Sequence, residues 1–196
     1  MYCGGIIIKM EKNKTLFPGN NKQEGVAVWL TGLSGSGKTT ISIPLCEKLE
    51  SMGYRVQRLD GDVIRQKLTK DLGFSKEDRD QNIERVTFVA ERLVKHGVIS
   101  VCAFISPYKK ERQYARDEIG RFVEVFVKCP LEICEERDVK GLYAKARAGE
   151  IKNFTGIDDP YEEPENAELT VETSKSTIDE EVNTIVEFLR SNRYIS

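Results

Sequence analysis

Apolar positions along the chain come in two alternating rhythms. Short unbroken runs at residues 26–31, 54–59, 98–104, 122–127 and 168–172 are rich in β-branched and aromatic residues, and predict strands. Between them, apolar residues return every third or fourth position, which predicts helices over 38–52, 64–68, 76–95, 109–119, 131–147 (with a break near Gly141) and 178–190. Ile83, Val86, Val89, Ala90, Leu93 and Val94 mark one helical face, with Ser75 as its cap and Asp78 as a variant capping-box partner. Runs such as 98–104 are apolar throughout, as required of strands covered on both faces. Strands alternating with helices at this spacing imply βαβ units, hence an α/β fold with a mostly parallel five-stranded sheet between helical layers. Pro44 conflicts with its helix, where an interior proline costs about 3 kcal/mol, and predicts a kink.

The length, 196 residues with 39% hydrophobic content, suits one domain with one main core. Charged residues make up 32% of the chain but sum to only −2, so there is no basic excess of the kind that binds nucleic acid. Five cysteines without a CxxC, and a single histidine, His96, argue against a zinc site or a disulfide framework. Cys102 and Cys129 lie in apolar runs and read as buried reduced thiols, which points to a reducing compartment, the cytoplasm. No run approaches the roughly 20 apolar residues of a membrane span. Residues 1–24 are largely polar and read as a poorly ordered arm ahead of a domain over 25–196.

The first strand leads into Gly32-Leu33-Ser34-Gly35-Ser36-Gly37-Lys38-Thr39, followed by Thr40, which fits the G-x-x-x-x-G-K-[ST] phosphate loop in its strand–turn–helix context. Glycines let the backbone curl its N–H groups toward anionic oxygens, and the helix start adds its positive end. Lys38 supplies a charge for the β- and γ-phosphates of ATP, and Thr39 a hydroxyl for Mg²⁺. The fold is therefore of the P-loop NTPase type. A regulatory GTPase would also need an Asn-Lys-x-Asp base reader, which this sequence lacks, and Asp117-x-x-Gly120 falls in a predicted helix. On their own, Asp60 and Asp62 at the end of the second strand fit a helix cap as well as a site, and Arg79 and Asn82 fit a solvated polar face.

Further motifs follow in order: Leu59-Asp60-Gly61-Asp62 with Arg65, Gly73-Phe74-Ser75, Asp78-Arg79, Asn82-Ile83, Phe104-Ile105-Ser106-Pro107-Tyr108, and a run from Arg137-Asp138-Val139-Lys140-Gly141-Leu142-Tyr143 to Phe154-Thr155-Gly156-Ile157-Asp158. With the phosphate loop, this set resembles the adenylylsulfate (APS) kinases from about residue 25 onward. The resemblance implies transfer of the ATP γ-phosphoryl to the ribose 3′-hydroxyl of adenosine 5′-phosphosulfate, in sulfate activation, by an enzyme that is typically a homodimer. It implies catalytic roles for Lys38, Asp62 and Ser106, with Asp62 positioning the hydroxyl or holding Mg²⁺ through water. It implies acceptor contacts from Arg65, Phe74, Arg79, Asn82, Ile105, Ser106, Lys140 and Phe154, the two phenylalanines clamping adenine, and a helical lid at about 137–158. Ser106 is expected to bind, without becoming phosphorylated, because no histidine or lysine adjoins it in sequence. The chain departs from the family pattern at Val63, where asparagine is usual, and at Glu84, where arginine is usual. A kinase for another small hydroxylated acceptor, or a sulfonucleotide sensor without turnover, fits the phosphate loop equally well.

Overall fold

Strand β1 (Val26–Thr31) is buried at every position, and its alternation decides the layering. Val26, Val28 and Leu30 face one core together with Ile41, Leu45 and Leu49 of helix α1 (Lys38–Ser51) and Val182, Ile185 and Leu189 of α7 (Ile178–Ser191). Ala27 and Trp29 face the opposite core with Ile83, Val86 and Ala90 of α3 (Lys76–Lys95) and Ala115 and Ile119 of α4 (Lys109–Ile119). Each face of the sheet therefore carries a helical layer. The computed structural model describes residues 23–196.

The remaining elements are β2 (Val56–Asp60), α2 (Gly61–Lys67), β3 (Ile99–Ala103), β4 (Phe122–Lys128), α5 (Leu131–Arg137), α6 (Leu142–Arg147) and β5 (Leu169–Glu172). All strand pairs are parallel, in the order β2-β3-β1-β4-β5. The central strands β3 and β4 are almost wholly buried, whereas the edge strands β2 and β5 are partly exposed, as their mixed sequences require. With β1 in the middle, the loops after β1, β2 and β3 open on one edge of the sheet, where ligands of open α/β folds bind.

Three boundaries move from their expected places for identifiable reasons. Strand β2 begins at Val56 because the Tyr54 amide still closes the end of α1 on the Leu49 carbonyl (3.1 Å). Helix α2 starts at Gly61, earlier than expected, because the Asp60 carboxylate caps it by accepting from the Asp62 amide (3.0 Å). Strand β5 starts after Glu168, whose side chain, not its backbone, accepts from the β4 amide of Glu124 (2.7 Å). Helix α1 continues through Pro44 as one element. Most of the arm expected over 1–24, with Cys3, lies outside the described residues. Gln23 and Glu24 are held: Gln23 brackets the Arg55 backbone (2.9 and 2.8 Å) and Glu24 pairs with Arg121 (3.0 Å). Cys46, Cys102, Cys129 and Cys134 are buried free thiols.

One buried acid stands out between α3 and α4. Glu111 is 4% exposed, and its carboxyl meets Asp80, which also pairs with Lys110. Burial, then the hydrogen bond and charge of Asp80, push its pKa up to about 8. A carboxyl whose folded pKa lies above its unfolded value costs nothing below about pH 4.5. Its penalty grows as pH rises and is complete above pH 8. Glu111→Gln is therefore expected to stabilise the fold at pH 8 by an amount on the order of 2–4 kcal/mol, and by much less at pH 5. Urea unfolding of both proteins at the two pH values measures the difference.

Candidate active site

The turn from β1 into α1 is shaped by glycines. A Cβ at Gly32 would stand 2.5 Å from the Val127 carbonyl oxygen, and Gly37, the residue before α1, has φ 103°, a left-handed value that glycine adopts without penalty. The loop is braced from outside. Thr173, just past β5, donates to the Ser36 carbonyl (2.8 Å), and Arg137 reaches the Gly35 carbonyl (3.3 Å) and Thr173 (3.0 and 2.8 Å). From α6, the Tyr143 hydroxyl donates to the Ser34 carbonyl (2.9 Å), and Leu33 packs in a small apolar cluster with Cys134, Tyr143 and Phe154. With loop carbonyls held from outside, the loop is pre-set for anions.

Lys38 lies within the loop, 9% exposed, donating to the carbonyls of Gly32 (2.8 Å) and Leu33 (2.6 Å). Burial pulls its ammonium pKa down to about 8; Lys140 acts in the same direction, against Asp62 and Asp60. Thr39, exposed at the start of α1, donates to Asp60 Oδ2 (3.0 Å), which also takes Arg58 (2.9 Å). Asp60 is thus a helix cap, one of the readings its sequence position left open, and also the partner of the phosphate-loop threonine. Asp62 is half-exposed one step on and pairs with Lys140 from the α5–α6 connection. That connection is built as a joint: Gly141 is left-handed (φ 64°), and the Asp138 carboxylate caps α6 at Tyr143 and Ala144 (3.0 Å each). Thr40 is exposed on α1.

On the acceptor side, Arg65 lies over the exposed Phe74 ring (4.4 Å) and donates to the Gly73 carbonyl (2.9 Å). Arg79, 8% exposed, donates to the carbonyls of Phe74 (3.1 Å) and Asn153 and to the Thr155 hydroxyl. One guanidinium thereby ties together the backbones on either side of the proposed adenine clamp. Phe154 meets Tyr143 edge-on (5.0 Å), while Asn82 is buried and accepts from Thr69 (2.8 Å). The Ile105 carbonyl accepts from Thr31 (2.7 Å). Ser106 is 2% exposed with φ 45°, and its hydroxyl accepts from the Trp29 indole (2.9 Å), a group that only donates. A cleft of about 480 Å³ is lined by Leu33 with residues 156–161 and 163. Arg85, one turn beyond Asn82, is taken by Asp71 in a two-pronged pair (2.7 Å each). Val63 and Glu84, the departures, are both exposed.

Sequence reading missed the bracing by Thr173 and Tyr143, missed Asp159 and Tyr161, which line the cleft, and gave Tyr108 no role. Their signal is tertiary: Tyr161 bonds Thr31 (2.9 Å) across 130 residues. Arg137, the first residue of the expected lid, supports the phosphate loop at the Gly35 carbonyl.

A phosphate loop at the centre of an all-parallel sheet, with the loops of neighbouring strands closing over it, defines a P-loop phosphotransferase fold. The family model for adenylylsulphate kinase matches residues 24–172, and the chain belongs to that family. An adenylyl-sulfate kinase from Halothermothrix orenii is 59% identical over 89% of this chain and 94% of its own length; one from a Synechococcus species is 54% identical over 88% and 98%. Among solved structures, the Mycobacterium tuberculosis APS kinase CysC in complex with AMPPNP and APS is 44% identical, with a TM-score of 0.83 over 85% of this chain and 98% of that one.

Proposed function

We propose that this chain phosphorylates adenosine 5′-phosphosulfate at its 3′-hydroxyl with ATP, by direct in-line transfer between two fixed sites. The observation that carries this reading is the placement of Asp62. It lies in the first turn of α2, just past the end of β2, close enough to act on the Lys38 ammonium, and its carboxylate is free of the cap and threonine contacts that occupy Asp60. Lys38 and the loop amides hold the β- and γ-phosphates. Asp62 orients the acceptor hydroxyl and takes its proton. Arg79, Asn82 and Arg65 face the phosphosulfate and sugar, Phe74 and Phe154 the adenine, and Lys140 closes from the lid at 137–158. Ser106 and Ile105 line the pocket.

The oxygen donors fit Mg²⁺. Thr39 and Asp60 present a hydroxyl and a carboxylate 3.0 Å apart, and the described residues hold no cluster of three or more His, Cys, Asp or Glu side chains suited to a metal. That set suits a cation that keeps waters and shares the nucleotide's phosphates. When bound, Mg²⁺ neutralises phosphate charge; Thr39 and Asp60, with Asp62 through water, would hold it. The same reading carries a homodimer in the cytoplasm, feeding sulfate activation. A solved hexameric APS kinase from Thiobacillus denitrificans, 34% identical with a TM-score of 0.69, shows that related chains assemble; this chain covers 30% of that one. Among the described residues no helix is long and apolar enough to cross a membrane.

Purified protein with Mg-ATP is expected to release ADP only when adenosine 5′-phosphosulfate is present. Release with shikimate or gluconate alone would point to another small-molecule kinase, and tight binding without turnover to a sensor. In the same assay Ser106→Ala is expected to keep turnover within about tenfold, because its hydroxyl is engaged by Trp29 and has no base to activate it. A loss beyond 10³-fold, together with a phosphoserine peptide in the parent, would establish the covalent route instead.

A further inference from the structure

Three segments of the acceptor half converge on one carboxylate that no motif singled out. Asp159 accepts from the Tyr108 hydroxyl through both its oxygens (2.8 and 3.0 Å) and pairs with Arg79 (3.3 Å). Tyr108 is 6% exposed, stands two residues after Ser106 and precedes α4; burial and the Asp159 carboxylate keep its hydroxyl protonated up to about pH 12, so it donates throughout the neutral range. Asp159 closes a turn over 153–159. Its amide bonds to the Phe154 carbonyl (3.2 Å) and its carbonyl takes the Gly156 amide (2.7 Å). Arg79 belongs to the first turns of α3, which also carry Asn82. One acid therefore links the Ser106 loop, the Phe154 turn and the start of α3 through Arg79.

The donor inventory of Arg79 gives this link its consequence. A guanidinium has five N–H groups in a fixed plane. Among the described residues, Nε donates to Phe74, Nη1 to Thr155 and Nη2 to Asn153, while Asp159 stands 3.3 Å from Nη1 as an ion pair, so the Nη edge keeps N–H capacity, Nη2 included, for an acceptor anion. The direction of that edge depends on how the plane is held. Phe74, Thr155 and Asn153 are neutral partners; Asp159 is the charged one. Only the charged partner adds Coulombic attraction, which is strong where both groups are largely buried.

We infer that Asp159, fixed by Tyr108, is a positioning residue that orients Arg79 toward the anionic end of the acceptor, so that it sets acceptor affinity without touching ATP. The inference rests on the adenylylsulfate kinase reading and assigns a role to Asp159, which lies outside the motifs.

Asp159→Asn keeps size and hydrogen-bonding capacity but removes the charge. It is expected to raise KM for adenosine 5′-phosphosulfate about tenfold, to lower kcat less than about threefold, and to leave KM for ATP unchanged. Tyr108→Phe is expected to raise the acceptor KM about threefold, and the double variant to match Asp159→Asn alone, because Tyr108 acts through Asp159. Arg79→Lys separates the possible failures. If it leaves the acceptor KM unchanged, the acceptor role of Arg79 is wrong. If it raises that KM and Asp159→Asn does not, only the positioning inference is overturned. Equal rises in both KM values, or additive effects in the double variant, also overturn it by showing a merely structural role. If Asp159→Asn fails to fold, the Tyr108→Phe split between the two KM values decides the question.

Discussion

Lys38→Ala is expected to lower kcat by about 10³-fold, the scale on which removal of a preorganised electrostatic donor acts in a water-excluded site. Its fold should persist, with a Tm within a few degrees of the parent's. The loop is held from outside by Thr173, Arg137 and Tyr143, and its shape does not depend on the Lys38 bonds to the Gly32 and Leu33 carbonyls. A second signature follows from burial. With its pKa drawn down to about 8, the Lys38 ammonium loses its proton in the free enzyme as pH rises through that value. The charged form binds phosphate, so kcat/KM for ATP should fall above pH 8. The kcat profile should break later, because bound phosphates favour the ammonium. Steady-state rates from pH 6 to 10 test both, and turnover near the parent's in the alanine variant would remove the phosphate loop from the mechanism.

The phosphate loop was legible because its chemistry is local: eight consecutive residues, a strand before and a helix after. The strand order was not, since β1 and β3 look alike in hydropathy and only the crossovers place β1 at the centre. Asp60 and Asp62 show where local reading ends. They stand two apart at the end of β2 and just past it, and spacing gives no way to divide a cap from a reacting group. The fold divides them, by burying Asp60 against Thr39 and Arg58 and leaving Asp62 half-exposed beside Lys140. Arg79 and Asn82 looked like surface residues by composition and are 8% and 5% exposed: the 153–159 turn covers Arg79, and Thr69 meets Asn82. That turn lies about 70 residues away in sequence, beyond any periodicity argument. The pairing of Tyr108 with Asp159 stayed invisible for the same reason: the two are 51 residues apart, and no motif says that they meet.

Asp62→Asn is expected to lower kcat by about 10²–10³-fold, within the range for losing a positioned general base, while KM for ATP moves less than about threefold. Stability should hardly change. The Asp62 and Lys140 side chains are 57% and 53% exposed, and exposed pairs contribute at most about 1 kcal/mol. Lys140 occupies the carboxylate that the acceptor hydroxyl must reach, so substrate entry has to exchange that pair for its own contacts. Lys140→Met should therefore weaken acceptor binding through the lost lid charge and leave the chemical step largely intact. Asp60→Asn provides the contrast. Its carboxylate receives Thr39, Arg58 and the Asp62 amide, so this change should cost about 1 kcal/mol of stability and raise the Mg²⁺ concentration needed for half-maximal rate. If Asp60→Asn lost turnover at saturating Mg²⁺ while Asp62→Asn kept it within threefold, the two aspartates would exchange roles: the buried carboxylate would carry the chemistry, and the exposed one would serve the lid.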